Sequence, residues 1–329
     1  MKLEIAGGGI IAREVVPQLR SWGWEPVALC STPSGEAALK ELAAANNVPE
    51  TYTDFDAMLA QADADTCYIA VPNYLHFEFA RRALAAGKNV IVEKPMTSNV
   101  QEARALAALA REKGLYLYEA ITTVYLPNFL RLQQLLPQIG TVKMVYCNFS
   151  QYSRRYDAFR AGTVLPVFDP KKSGGALMDL NLYNIYWTLG LFGAPDSLTY
   201  HANVERGIDT SGVLLLDYPG FRAAAIAAKD CAAPCCTLIQ GTEGYLMQST
   251  PASICGEILL HRNDGSEVRF QENPPSRLEP EFRLFARQIA ARDPSLCEAA
   301  LERSILVSEI QTRARLEAGV RFPADGTEA

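Results

Sequence analysis

Residues 2 to 12 read Lys2-Leu3-Glu4-Ile5-Ala6-Gly7-Gly8-Gly9-Ile10-Ile11-Ala12, a short apolar run that breaks into glycine and resumes as a helical pattern. Lys2 to Ala6 predicts a β-strand. Gly7-x-Gly9-x-x-Ala12 then supplies a tight turn, a backbone without Cβ where a pyrophosphate must approach, and a small residue for close helix–strand packing. A helix starting near Ile10 aims its unpaired N–H groups and the positive end of its dipole at such phosphates. The bare glycine pattern also serves purely structural turns, so its context decides. Apolar runs at 26–30, 66–71 and 89–92 alternate with helical stretches at 35–45 and 77–86. That is the β-α-β alternation of an α/β, doubly wound parallel sheet. Pro17 falls inside the first helical pattern and predicts a kink or a lost hydrogen bond there.

The 329 residues, 49% of them hydrophobic and 21% charged, suffice for two cores of ordinary size. A helix over 100–113 and a strand at 116–118 complete a first domain spanning 1–120; residues 121–329 form the second. A net charge of −6 with no Lys/Arg run longer than two argues against a nucleic-acid surface. No secretory leader precedes the first strand and no apolar segment is long enough to cross a bilayer, so a cytoplasmic protein without membrane partner is expected. The eight cysteines are scattered in mostly apolar contexts, as small buried hydrophobes are. Cys231, Cys235 and Cys236 cluster, but without a second Cys-x-x-Cys or a nearby histidine they do not make a metal site.

Beyond a helix at 128–136, strand patterns dominate the second domain: 142–153, 197–205, 212–218, 221–229, 236–240, 257–261 and 267–270. Turns such as Tyr218-Pro219-Gly220 and Asn263-Asp264-Gly265 join some of them, which predicts an open, mainly antiparallel sheet. The 3.6-residue apolar period returns at 280–291 and 296–316, predicting terminal helices that pack back. One helix stands apart. It follows Ser173-Gly174-Gly175 and carries Asp179 and Tyr183, four residues apart and so on one face. A carboxylate and a phenol on an otherwise apolar helix serve either packing, with Asp179 paired to a basic partner, or chemistry.

Taken in order, Gly7-x-Gly9-x-x-Ala12, Val71-Pro72-Asn73-Tyr74-Leu75-His76, Glu93-Lys94-Pro95, Glu119-Ala120, Gly174-Gly175-Ala176-Leu177-Met178-Asp179 and Ile239-Gln240-Gly241-Thr242-Glu243-Gly244 resemble the Gfo/Idh/MocA family along the length of the chain. The resemblance implies an N-terminal Rossmann domain, a C-terminal α/β domain whose open sheet often forms a dimer interface, and bound NAD or NADP. It implies hydride transfer to or from the carbinol carbon of a sugar, polyol or related small substrate, and a homodimer or higher homo-oligomer. By position, Gly7, Gly9, Ile10, Ile11, Ser31, Thr32, Pro72, Asn73, His76, Glu93 and Lys94 fall on the cofactor side. Lys94, Asp179 and Tyr183 fall at the catalytic centre. Arg154, Arg155 and Tyr156 lie on a loop just before the helix that bears Asp179 and Tyr183, where an arginine either binds a substrate carboxylate or sugar hydroxyls or is simply solvated.

Three departures stand out. Many members carry histidine where this chain has Tyr183, although some have tyrosine. A phenol serves as an acid without any shift, and a neighbouring ammonium such as Lys94 favours its phenolate. The usual triple glycine reads Ser173-Gly174-Gly175, and Val124 replaces an arginine often found after Glu119-Ala120. After the second strand, Cys30-Ser31-Thr32-Pro33 offers neither an acid for a ribose hydroxyl nor an arginine for a phosphate, and Lys40 is the nearest cation in sequence. His76 admits a cofactor-side or a packing role. The competing reading from another class is a catalytically silent dinucleotide-binding sensor or regulator, which would not need Lys94, Asp179 and a titratable residue at 183 together.

Overall fold

A computed structural model describes residues 1–326. The chain divides into two units, Met1–Ala120 with Glu281–Ile305, and Ile121–Pro280 with Leu306 onward. In the first unit, β1 (Lys2–Ala6), α1 (Ile10–Val15), β2 (Glu25–Cys30), α2 (Glu36–Ala45), β3 (Glu50–Tyr52), α3 (Phe55–Gln61), β4 (Thr66–Ile69), α4 (His76–Ala85), β5 (Asn89–Glu93), α5 (Val100–Lys113) and β6 (Leu117–Ala120) alternate. The six strands are parallel in the order β3-β2-β1-β4-β5-β6. That order reverses between β1 and β4, the switch point outside which a doubly wound sheet binds its ligand.

One face of this sheet packs Ala6, Cys67, Ile69 and Val92 beneath α3, α4 and α5. On the other, Phe282 of α9 (Glu279–Ala291) lies edge-on to Tyr68, Phe285 stacks on Tyr118 at 4.2 Å, and Trp24 Nε1 donates to the Phe282 carbonyl. The first part of α10 (Ser295–Glu317) adds Leu301 to the α-helical face. Pro17 has the expected effect: α1 ends at Val15 and the chain continues as a 3-10 helix through Trp22. β3 and α3 escape the apolar pattern because β3 has only three half-buried residues, although Asp54 caps α3 by accepting from Ala57 N.

The second unit holds α6 (Pro127–Leu135), β7 (Val142–Ser150), α7 (Arg154–Arg160), α8 (Leu182–Phe192) and β8 (Ser197–Glu205) through β14 (Glu267–Phe270). Between these last two run β9 (Ile208–Tyr218), β10 (Phe221–Ala228), β11 (Cys236–Gly241), β12 (Gly244–Gln248) and β13 (Ile258–Arg262). Eight strands order as β14-β13-β12-β11-β7-β10-β9-β8 and are antiparallel except for β7 and β10. Arg154, Arg155 and Tyr156 sit on a helix, not the expected loop, with Ser153 as its cap. β12 was not expected as a strand. Five cysteines are buried, whereas Cys231 is exposed. Among the described residues no helix is long and apolar enough to cross a membrane.

Glu4 breaks the apolar rule inside β1. Its side chain is fully buried, neither carboxyl oxygen has a hydrogen-bond partner, and Lys88 Nζ stands 3.9 Å off while donating to the Ala64 carbonyl. Burial pushes the Glu4 carboxyl up to about 7, with Lys88 opposing the shift. A carboxyl raised on folding favours its protonated form, so its cost to stability grows as pH rises from the unfolded value through 7. Glu4→Gln, which resembles the protonated acid, is expected to raise stability by about 2 kcal/mol at pH 8 and by close to nothing at pH 4.5. Urea midpoints at the two pH values check this, and equal gains at both would refute it.

Candidate active site

In the first unit the site is built from two turns. Gly7 lies at φ +127°, and a Cβ there would stand 2.2 Å from the Ala70 carbonyl, so the close approach of the β1 and β4 ends excludes any side chain. Gly9 caps α1 with extended backbone, and a Cβ on it meets no atom within 4 Å. The Ile10 side chain beside it is 79% exposed, unusual for an isoleucine. Open space over a helix start whose first N–H groups have no intrahelical acceptor fits a dinucleotide phosphate. The chemistry the cofactor supplies when bound is acceptance or donation of a hydride.

The second turn is Glu93-Lys94-Pro95, whose Lys94–Pro95 peptide is cis. Tyr68 OH donates to Glu93 Oε1 at 2.6 Å, and Met96 N donates to Glu119 Oε1 at 2.9 Å. His76 lies between this turn and the end of β4, with Nδ1 2.7 Å from the Pro95 carbonyl and Nε2 2.8 Å from that of Val71. Burial lowers the His76 pKa more than the two carbonyls raise it, and a neutral ring donates to one of them at a time. Its side chain is wholly buried. Glu93 and Lys94 are half-exposed, as is Asn73, and Pro72 is exposed.

Ser31 and Thr32 follow β2, half-exposed and exposed, and Thr32 Oγ1 pairs with Ser34 Oγ at 3.0 Å. Lys40 turns to Glu36, 2.6 Å away. Arg13, which the sequence reading passed over, donates from Nε to the Gly8 carbonyl at 3.2 Å.

In the second unit the double glycine is dictated by contact. A Cβ on Gly174 would stand 2.7 Å from the Pro166 and Val167 carbonyls, and one on Gly175 (φ +109°) 2.1 Å from Asp209 Oδ1. Asp209 accepts from Leu177 N at 2.7 Å and from Tyr200 OH at 2.8 Å, so it caps the helix from across the sheet. Burial pushes its carboxyl up to about 6 against those donors. The first turn, Leu177–Asn181, is a π-helix that passes into α8. A π turn rotates less per residue than an α turn, so Tyr183 falls more nearly in line with Asp179 than an α-helix allows.

Lys229 Nζ donates to Asp179 Oδ2 in a short ion pair. The sequence allows Asp179 a basic partner, and the family resemblance orients it to the substrate or to Lys94; Lys229 has a weaker signal, for in the predicted strand 221–229 Ala223, Ala225 and Ala227 alternate to one face and Lys229 continues it. Tyr183 is nearly buried, its ring 6.0 Å from that of Phe149. Tyr156 spends its hydroxyl on Glu205 at 2.7 Å, which together with burial pushes it up to about 12. Arg155 is exposed. Val124 is buried, and it and Phe129 lie against Gly190.

Known proteins share both halves. Residues 1–121 match the profile of an oxidoreductase family with an NAD-binding Rossmann fold, and 129–247 that of the GFO/IDH/MocA C-terminal domain. The chain is 35% identical over 295 residues, 87% of each protein, to scyllo-inositol 2-dehydrogenase (NADP(+)) of Bacillus subtilis. It is 26% identical over 342 residues, 98% of each, to mouse trans-1,2-dihydrobenzene-1,2-diol dehydrogenase. A 3-ketoreductase from Actinomadura kijaniata, solved with TDP-benzene and NADP, shares the fold at TM-score 0.81 and 23% identity over 98% of both chains. The chain belongs to the Gfo/Idh/MocA family. It is an NAD(P)-dependent oxidoreductase.

Because a Cβ on Gly9 touches nothing, Gly9→Val is expected to melt within about 1 °C of the parent while dinucleotide affinity falls at least about 100-fold, the inserted side chain standing where the phosphates approach. Calorimetric titration with NADP(+) checks this; parent-like affinity removes the glycine turn from the cofactor site.

Proposed function

We propose that the protein is an NADP-dependent dehydrogenase or reductase acting on the carbinol carbon of a polyol, a sugar or a related small substrate. The observation that carries this reading is the pairing, on one helix, of an anchored carboxylate at Asp179 with a phenol one turn on at Tyr183. Tyr183 exchanges the proton of the reacting oxygen: it donates on reduction and accepts on oxidation. Lys94 contributes a positive charge that stabilises the substrate alkoxide. Asp179 accepts a hydrogen bond from a substrate hydroxyl and so orients the carbinol.

Preference for NADP is supported by the exposed hydroxyls of Thr32 and Ser34, by Arg13 at the glycine turn, and by a nearest acid, Glu36, already paired with Lys40. Relatives named as NADP(+) enzymes point the same way.

The test is reduction of NADP(+), with NAD(+) alongside, against scyllo-inositol, other cyclitols and aldoses, followed at the nicotinamide absorbance band. The parent is expected to turn over at least one of them with NADP(+) favoured. Lys94→Met and Tyr183→Phe should each lower turnover by about 10²-fold while cofactor affinity stays within about tenfold. Undiminished turnover in Tyr183→Phe removes that residue from the chemistry; tight cofactor binding with no turnover of any substrate favours the sensor reading.

We infer further that the chain forms a homodimer or higher homo-oligomer through the outer face of the eight-stranded sheet. Met144, Tyr146, Leu215, Ala224, Leu238 and Met247 share that face in register and are all at least partly exposed, an apolar surface of the kind that marks an interface. Light scattering is expected to give at least twice 36.1 kDa and Leu215→Glu to halve the mass; a monomeric parent excludes the interface.

A further inference from the structure

The alternation of β10 places three alanines, Ala223, Ala225 and Ala227, against the helix that bears Asp179 and Tyr183, and then a lysine. Lys229 is only 4% exposed. Its backbone is held on both sides, its N–H donating to the Thr210 carbonyl at 2.8 Å and its own carbonyl accepting from Ser153 N at 2.9 Å. With the stem enclosed and the main chain fixed, the ammonium has one place to go, and it meets Asp179 Oδ2.

The pair is lopsided. The Lys229 side chain is 5% exposed and that of Asp179 30%, so the cation is sealed beneath a carboxylate that still reaches the surface. A hydrophobic residue of similar volume usually stabilises such a position at least as well as a buried ion pair does. Packing alone therefore gives no reason for a lysine here.

The helix is pinned to the same strand: Asn181 Nδ2 donates to the Ala225 carbonyl at 3.0 Å and Asn184 Nδ2 to that of Ile226 at 2.9 Å. Lys229, the π turn and Asp179 thus share one rigid base. The titratable and charged groups around the pair are Asp209 on β9, Asp230 next to Lys229, and Tyr183 on α8; opposite the end of β10, β7 offers Asn148, Phe149 and Ser150. With carboxylates at Asp179, Asp209 and Asp230, Lys229 is placed to offset negative charge.

We propose that Lys229 is a positioning residue that keeps Asp179 ionised and fixed in direction, so that Asp179 serves only as a hydrogen-bond acceptor and proton exchange is left to Tyr183. A permanently charged acceptor requires a donor from the substrate, which selects compounds carrying a hydroxyl next to the reacting carbinol and disfavours deoxy analogues. This rests on the reading of Asp179 given under Proposed function.

The experiment compares full-length Lys229→Met, Lys229→Arg, Asp179→Asn and the double variant K229M/D179N. Protein labelled with ¹³C at aspartate carboxyls is titrated by NMR, the Asp179 resonance being the one lost in Asp179→Asn. Its midpoint is expected to rise by about one pH unit or more in Lys229→Met and to stay within about half a unit in Lys229→Arg. With scyllo-inositol and NADP(+), kcat/KM of Lys229→Met should fall about tenfold or more at neutral pH, because the carboxylate is no longer fixed in direction, and fall further as pH drops through the raised Asp179 midpoint, whereas Lys229→Arg keeps the parent's profile. In the Asp179→Asn background, Lys229→Met should change kcat/KM by less than about twofold, because its effect passes through the carboxylate.

An unmoved Asp179 midpoint in folded Lys229→Met overturns the proposal. Should that variant fail to fold, the double variant, which removes both charges, is compared with Asp179→Asn alone: equal kcat/KM supports the proposal and a further drop of about tenfold overturns it. Parent-like turnover in Asp179→Asn defeats the functional reading itself, while a slow Asp179→Asn beside a parent-like Lys229→Met defeats only the role of Lys229. If scyllo-inositol is not turned over, the NMR midpoint decides.

Discussion

A strand reduced to alanine sets the geometry of the second unit. Five of the eight residues of β10 are Ala, and their short side chains let the helix that bears Asp179 and Tyr183 lie close enough for Asn181 and Asn184 to bond the strand's own carbonyls. Those carbonyls already serve the sheet ladder and accept through a second lone pair. Larger side chains would lift the helix beyond that reach. Everything else in this half follows from the approach: the two glycines that pass the Pro166, Val167 and Asp209 oxygens, the Asp209 carboxylate that caps the helix, and the lysine that ends the strand.

The first unit solves its positioning problem by different means. Lys94 lies on a turn, and turns are the mobile parts of a fold unless tied down. Three side chains tie this one: Tyr68 to Glu93, Glu119 to Met96 N, and His76 to the Pro95 carbonyl. They come from β4, β6 and the start of α4, so the turn inherits the rigidity of the sheet. Within this unit His76, Glu93 and Glu119, each part of a piece of sequence that resembles the family, are therefore members of one brace.

Local chemistry made much of this legible. The strand and turn at 2–12 were read from glycine and apolar spacing, the break after α1 from Pro17, and the β9–β10 hairpin from Pro219-Gly220. β3 escapes because its three residues are all half-buried, and β12 because its buried positions, Gly244, Leu246 and Gln248, include one apolar side chain, so its alternation in burial is not written in hydropathy. α7 escapes the apolar pattern because three arginines and an aspartate among its seven residues leave Phe159 as its one buried side chain. In the second unit, the helix that carries both Asp179 and Tyr183 was legible from the apolar pattern and their spacing. Lys229 and Asp209 were not, since each meets its partner across 50 and 32 residues of chain, and no local period encodes such a meeting.

Phe282, Phe285 and Leu301 fill the two faces of the nucleotide-binding sheet although their codons lie far downstream of it. A ribosome delivers β1 to β6 long before it delivers these residues. The nascent sheet must wait with Tyr68, Tyr118 and the Trp24 indole uncovered until about nine-tenths of the chain has emerged. During that interval the wet aromatic face is a natural substrate for a chaperone, and the last helices act as the latch that ends the dependence.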